Sequence, residues 1–254
     1  MIRFRTWARR QRLIAGSTCV IVAVLGVSLP LNPDWVVPGL SRISPEVTYF
    51  VETERPAVAL TIDDGPDALA TPLILDVLRR HGARATFFVV SSRVTGNEQL
   101  VARMLEEGHE IANHLVEDEP SILLPAAEFE EKLSVAQQTL ARFAESRWFR
   151  PGHGWYDAEM VATAGRYGYS TVLGSVYPFD AQIPSAWFAE RYIRAHVHPG
   201  AIIVLHDVGG RGVRTAEALE AILPALRERG LQVTTLTDLA VPRRSASASP
   251  ARRP

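Results

Sequence analysis

The chain has 254 residues, 47% of them hydrophobic, which fits one sizeable globular domain and excludes a disordered chain. Its single cysteine, Cys19, lies in an apolar run, which excludes an internal disulfide and cysteine-based metal or nucleophilic chemistry. Between Glu46 and Asp238 stand 27 Asp and Glu against 17 Arg and Lys, a formal charge of −10, which argues against nucleic acid as a partner.

Five arginines, Arg3, Arg5, Arg9, Arg10 and Arg12, precede an uncharged run from Leu13 to Leu29. As a helix that run spans about 26 Å, the short end of a bilayer span, and the arginines would hold its start on the cytoplasmic side. No small-x-small cleavage site follows, so residues 1–31 are expected to form a basic stub and membrane anchor. That would leave the rest extracytoplasmic, with a cleaved signal and a secreted product as the alternative. Residues 32–55 read as a linker, 56–240 as the folded domain, and 241–254, rich in Ser, Ala, Pro and Arg, as a disordered basic tail.

Within the domain, apolar runs alternate with helical patterns. AVALTI (57–62) reads as a strand, LILDVLRRHG (73–82) as a helix closed by glycine, and RATFFVV (84–90) as a strand. NEQLVARMLEEG (97–108) reads as a helix and HEIANH (109–114) as a strand. Helices over 126–145, 157–167, 186–197 and 214–229 follow, interleaved with strands entering WFRPGHG and at YSTVLG, AIIVLHD and LQVTTL. Six or seven strands in this order predict a parallel α/β fold, barrel or open sheet, with its chemistry at the carboxyl ends of the strands.

Polar residues stand at those ends. Asp63 and Asp64 follow the first strand, His114 and Asp118 the third, Arg150 and His153 the WF pair, and His206 with Asp207 the AIIVL run, while Asp180 lies in the loop after VLGSV. Adjacent carboxylates repel and stay ionised most easily when one binds a cation or pairs with an arginine. One aspartate for a metal and its neighbour for proton transfer is the division of labour this suggests. A histidine with carboxylates suits a divalent ion such as zinc, and His114 and Asp118, four apart, converge if the segment turns. This is the equipment of a metal-assisted hydrolase. Glu117 competes with Asp118 as a ligand, Asp207 reads as a cap, and Trp155 and Trp187 read equally as sugar platforms or core residues. His81, His109, His196 and His198 read as surface or structural histidines.

TIDDGP, NHLVED, RPGHG, the Asp180 loop and IIVLHD, in this order over roughly residues 55–240, resemble the five motifs of the NodB-like polysaccharide deacetylases, carbohydrate esterase family 4. The resemblance implies a distorted (β/α) barrel that removes N-acetyl groups from amino sugars of a cell-wall or extracellular polysaccharide. It implies Asp63 as the base, and Asp64, His114 and Asp118 as ligands of a divalent metal, zinc first, with manganese, cobalt or iron as competitors. Arg150 would orient the base, and Pro151, Gly152 and His153 would line the substrate, with an oxyanion donor in the backbone around Gly152 and His153. His206 would be the acid, tuned by Asp180, and Val204 and Leu205 would line the acetyl pocket. The implied partners are a polysaccharide or oligosaccharide and, through the N-terminal run, the membrane.

Three positions depart from the family pattern. Asp118 stands where the second motif has a histidine, which makes a site of Asp64, His114 and Asp118 formally neutral around a divalent ion. That weakens the ion as a Lewis acid and softens the preference for zinc. His153 replaces the usual residue before the glycine, and FDAQIP lacks a tryptophan that often follows the fourth-motif aspartate. The departures keep two alternatives open: cleavage of another carbon–nitrogen amide bond, and a glycan-binding protein with a degenerate site.

Overall fold

The computed structural model describes residues 36–241. The expected anchor or signal at 1–31 and the tail beyond Val241 lie outside the described residues. Among the described residues no helix is long and apolar enough to cross a membrane. A short helix, α1 (Val36–Ile43), belongs to a separate unit, and the packed domain begins at Pro45.

The domain is built on a seven-stranded, all-parallel sheet. Its strands are β1 (Ala57–Asp63), β2 (Thr86–Val89), β3 (Glu110–Asn113), β4 (Trp148–Phe149), β5 (Ser170–Thr171), β6 (Ile202–His206) and β7 (Gln232–Thr234). They are ordered β5-β4-β3-β2-β1-β6, and β7 pairs with the first half of β1. The helices between them are α2 (Ala70–His81), α3 (Glu98–Glu106), α4 (Ala126–Leu140), α5 (Ala158–Arg166), α6 (Ala186–His196) and α7 (Gly209–Glu228), and α8 (Leu236–Ala240) follows β7.

Strand alternation divides the core. Val58, Leu60 and Ile62 of β1 pack with Ile74, Leu75 and Leu78 of α2 and with Leu219 and Ile222 of α7. Ala57 and Ala59, pointing the other way, pack with Phe88, Trp148, Ile202 and the α8 residues Leu236 and Leu239. Each large apolar side chain buried in this way contributes roughly 1.5–3 kcal/mol. The inward column continues through Thr61 and ends at Asp63, so the same alternation that builds the core delivers this carboxylate to the rim.

The sheet closes through irregular chain. Residues Thr48 and Val172, Phe50 and Ala201, and Val176 and Ile203 form single bridges that link the β5 side to β6. Val47 and Tyr49 are buried, so the segment from Pro45, expected within a linker, is part of the barrel wall. The strand expected at YSTVLG is correspondingly short, because after Val172, whose N–H still donates to the Phe149 carbonyl of β4, the backbone bonds Thr48 and then β6. Helix α7 begins earlier than expected, at Gly209, whose N–H donates to Asp67 Oδ2 (3.1 Å). Gly212 lets this helix press on Asp207 and Ala70, where a Cβ would overlap the backbone of one and the side chain of the other.

Candidate active site

Because all strands are parallel, Asp63 and His206, His114 after β3, and Arg150 after β4 emerge on one rim. Asp63 and His206 are register partners, as are Asn113 and Phe149. Three pairs form there.

Asp63 is buried, and its Oδ1 accepts from Arg150 Nη1 at 2.6 Å. The same Nη1 lies 2.8 Å from Thr61 Oγ1, Nη2 donates to the Leu173 carbonyl at 2.6 Å, and the guanidinium lies 4.1 Å over the Phe88 ring. Arg150 is thus held on several sides, and it aims one oxygen of Asp63.

Asp64 faces His114, with Oδ1 and Nε2 3.4 Å apart and both residues buried. His114 Nδ1 lies 2.7 Å from the Arg150 carbonyl. A carbonyl only accepts, so Nδ1 carries hydrogen and Nε2 points to the carboxylate. Burial raises the Asp64 pKa, but the hydrogen bond and charge of His114, with His206 and Arg211, outweigh it and hold Asp64 below the ordinary range. His114 is raised in turn, burial being outweighed by Asp64 and Asp63. Arg211 Nη1 reaches Asp64 Oδ2 at 3.0 Å, and Arg93 Nη1 donates to the Asp64 carbonyl at 2.7 Å.

His206 Nδ1 lies 3.0 Å from both oxygens of Asp180, and its backbone N–H donates to Asp180 Oδ2 at 3.0 Å. Burial works to lower the His206 pKa, but Asp180, Asp63 and Asp64 lift it to about 9. The imidazole is therefore protonated at neutral pH.

Among the described residues, the non-glycine residues with positive φ are Asp64 (75°), Leu115 (63°), His153 (60°) and Phe179 (57°). Each is a site residue or the neighbour of one. Backbone held in this region costs about 1–3 kcal/mol per residue and collects where function requires a particular direction.

A family model described as polysaccharide deacetylase matches residues 50–172. A peptidoglycan-N-acetylglucosamine deacetylase of Bacillus cereus is 36% identical over 201 residues, covering 76% of this chain and 92% of the relative. The chain belongs to the polysaccharide deacetylase family. A chitooligosaccharide deacetylase of Bradyrhizobium is 34% identical over 197 residues, covering 72% of this chain and 90% of the relative. The half-barrel of parallel strands is the family's fold, and it is shared by a carbohydrate esterase family 4 pseudoenzyme from Bacillus anthracis. That structure has a TM-score of 0.72 at 26% identity, covering 78% of this chain and 70% of that one.

Not every expected residue joins the site. Among the described residues no three histidine, cysteine or acidic side chains gather closely enough to hold a metal ion, so the expected trio is present as the pair Asp64 and His114. Asp118 stands apart, Oδ1 3.7 Å from His153 Nε2 and Oδ2 3.9 Å from Arg93 Nη2. Its turn after His114 carries it toward the 150–154 loop. Glu117 is exposed and faces Lys132. The two donors present suit a divalent cation: a carboxylate oxygen and an imidazole nitrogen face each other, and the other imidazole nitrogen is spent on a carbonyl.

Strand alternation puts Val204 and His206 on the inward face of β6, and Leu205 packs into the helix-side core. Pro151 and Gly152 are buried, and the Gly152 N–H is taken by Ser121 Oγ (2.7 Å). Trp155 and Trp187 are exposed, which removes the core reading for both.

Sequence reasoning gave no part to Arg93, Arg211 or Thr61, and placed Asp207 only as a cap. Asp207 is fully buried, takes a 2.6 Å hydrogen bond from Thr71 Oγ1, and donates its N–H to the Asp63 carbonyl (2.9 Å). Burial pushes its pKa well up, and its Oδ1 has no hydrogen-bond partner among the described residues. A Cβ on Gly65 would overlap this carboxyl, so it buttresses the Asp63–Gly65 turn from behind. Its position beside His206 at a strand end was the available signal.

Proposed function

We propose that the protein is a metal-dependent N-deacetylase of amino sugars in a cell-wall or extracellular polysaccharide, working outside the cytoplasm and tethered by its N-terminal run. The observation that carries this reading is the pairing of two proton-transfer groups on one rim: Asp63 aimed by Arg150, and His206 kept protonated by Asp180. A divalent cation held by Asp64 and His114 would supply Lewis-acid polarisation of the acetamide carbonyl and acidify water.

The chain's own residues do the rest. Asp63 takes a proton from water as the water oxygen adds to the acetamide carbon. With the Gly152 N–H spent on Ser121, the backbone N–H of His153 is the loop's donor for the developing oxyanion. His206 gives its proton to the amide nitrogen as the carbon–nitrogen bond breaks, which releases acetate and a free amine on the sugar. Val204 lines the space for the acetyl methyl.

The displacement of Asp118 favours a second reading, a glycan-binding protein with a degenerate site. A binding module needs neither the Arg150–Asp63 pair nor the His206–Asp180 pair, and both are intact. The test is acetate release from peptidoglycan, N-acetylglucosamine oligomers and small acetamides after chelation and return of zinc, manganese or cobalt. The deacetylase reading expects metal-restored release from the glycans, and Asp63→Asn is expected to lose at least 100-fold. Glycan binding without acetate under every metal would overturn it in favour of the second reading.

A further inference from the structure

We propose that Tyr177 is a further catalytic residue, whose phenolic hydroxyl donates a hydrogen bond to the acetamide oxygen of the substrate. The proposal rests on the deacetylase reading above and adds to it a residue given no part so far. The backbone fixes where the ring goes. Val176 forms a bridge with Ile203 of β6, and the Val204 N–H donates to the Val176 carbonyl at 3.0 Å. Val176 packs into the helix-side core, so the next residue, Tyr177, turns to the inward face, the face of Asp63 and Val204. Gly174 leaves room there: a Cβ on it would overlap Val204 Cγ2 and lie 3.5 Å from Tyr177 Cε2. The ring thus sits beside Val204, at the wall of the acetyl space.

The hydroxyl reaches toward the Asp63–Arg150 pair. Burial raises the Tyr177 pKa to about 12, while Arg150 pulls it down and Asp63 pushes it up, so the hydroxyl lies within range of both charges. It keeps its proton at neutral pH and is a donor. The residue is half-buried, and among the described residues its hydroxyl has no hydrogen-bond partner. A phenolic hydroxyl set into a protein in this way ordinarily has one. An acetamide whose methyl lies on Val204 and whose carbon faces Asp63 brings one good acceptor to this spot, its carbonyl oxygen. As water adds to the carbon, that oxygen gains negative charge and the hydrogen bond from Tyr177 strengthens. The phenolic proton stays on the tyrosine, so Asp63 still takes the proton from water and His206 still gives one to nitrogen.

Tyr177→Phe tests this by removing one oxygen atom and no contact within the protein. The melting temperature should equal that of wild type, because the hydroxyl holds nothing in the fold. On N-acetylglucosamine oligomers kcat should fall about 100-fold with KM little changed, as for a donor that acts on developing charge. Acetate carries its negative charge on an oxygen of the same kind, and calorimetry should find it bound about 10-fold more weakly by the variant. Wild-type kcat in Tyr177→Phe overturns the proposal and leaves the deacetylase reading standing. So does a melting temperature that falls together with kcat, which makes the hydroxyl a structural group. If the wild type cleaves no glycan, acetate binding decides: weaker binding by the variant upholds the contact, and equal affinities overturn it. A wild type that neither releases nor binds acetate overturns both the proposal and the deacetylase reading.

Discussion

At the scale of single residues, the carboxylates of the site work through a partner. Asp180 raises His206 to about 9, so the rate should fall as pH rises through that value and the acid loses its proton. Asp180→Asn removes the main cause of the shift, and the falling limb of kcat/KM should move toward the unperturbed value of 6.5. A limb that stays in place would mean that another group titrates there. Arg150→Met leaves the buried Asp63 carboxylate unpaired, which is expected to cost roughly 3–5 kcal/mol in urea unfolding as well as the activity. Asp63, Arg150, His206 and Asp180 were legible in the sequence because each ends a strand or its loop, and a strand end fixes position within a residue or two. Arg93, Arg211 and Thr61 were not, because their roles depend on long side chains and on register across the sheet. No local pattern encodes either.

At the scale of elements, the site depends on close approach between loops. Gly152→Ala would push the 150–154 loop off the Glu119 carbonyl and disturb both the His114 anchor and the His153 contact. Overpacking of this kind costs about 1–3 kcal/mol, and thermal melting should record it. Unchanged stability together with unchanged zinc affinity would contradict the packing described. The strand–helix order and most helix positions were legible from apolar periodicity, as in β1 with its alternating helix-side Val58, Leu60 and Ile62. Short elements were not. YSTVLG reads as a six-residue strand, but only Ser170 and Thr171 form β5, since beyond Val172 the backbone bonds Thr48 and β6. Likewise His114 and Asp118 have helical spacing, but the chain between them is not helical, so they part.

At the scale of the whole molecule, the barrel is closed by chain that the sequence presents as a linker. A form beginning at Pro56 loses buried Val47 and Tyr49 and the backbone bonds of Thr48 and Val51. It should melt well below a form beginning at Pro45, and equal melting temperatures would contradict the seam. The domain should also weaken in acid. Burial depresses His109 to about 4 from the ordinary 6.5, so the unfolded chain binds the extra proton first. Stability is then expected to fall as pH drops from about 6.5 to about 4, and His109→Gln should flatten that slope in urea titrations at stepped pH.

In the proposed reaction, water activated at Asp63 cleaves a sugar acetamide. Reaction with N-acetylglucosamine oligomers in oxygen-18 water, followed by mass spectrometry of both products, tests it most directly. The expected products are acetate carrying one labelled oxygen and a free amine in equal amount, with neither from Asp63→Asn. Unlabelled acetate, or none at all from the zinc-loaded chain, would contradict it.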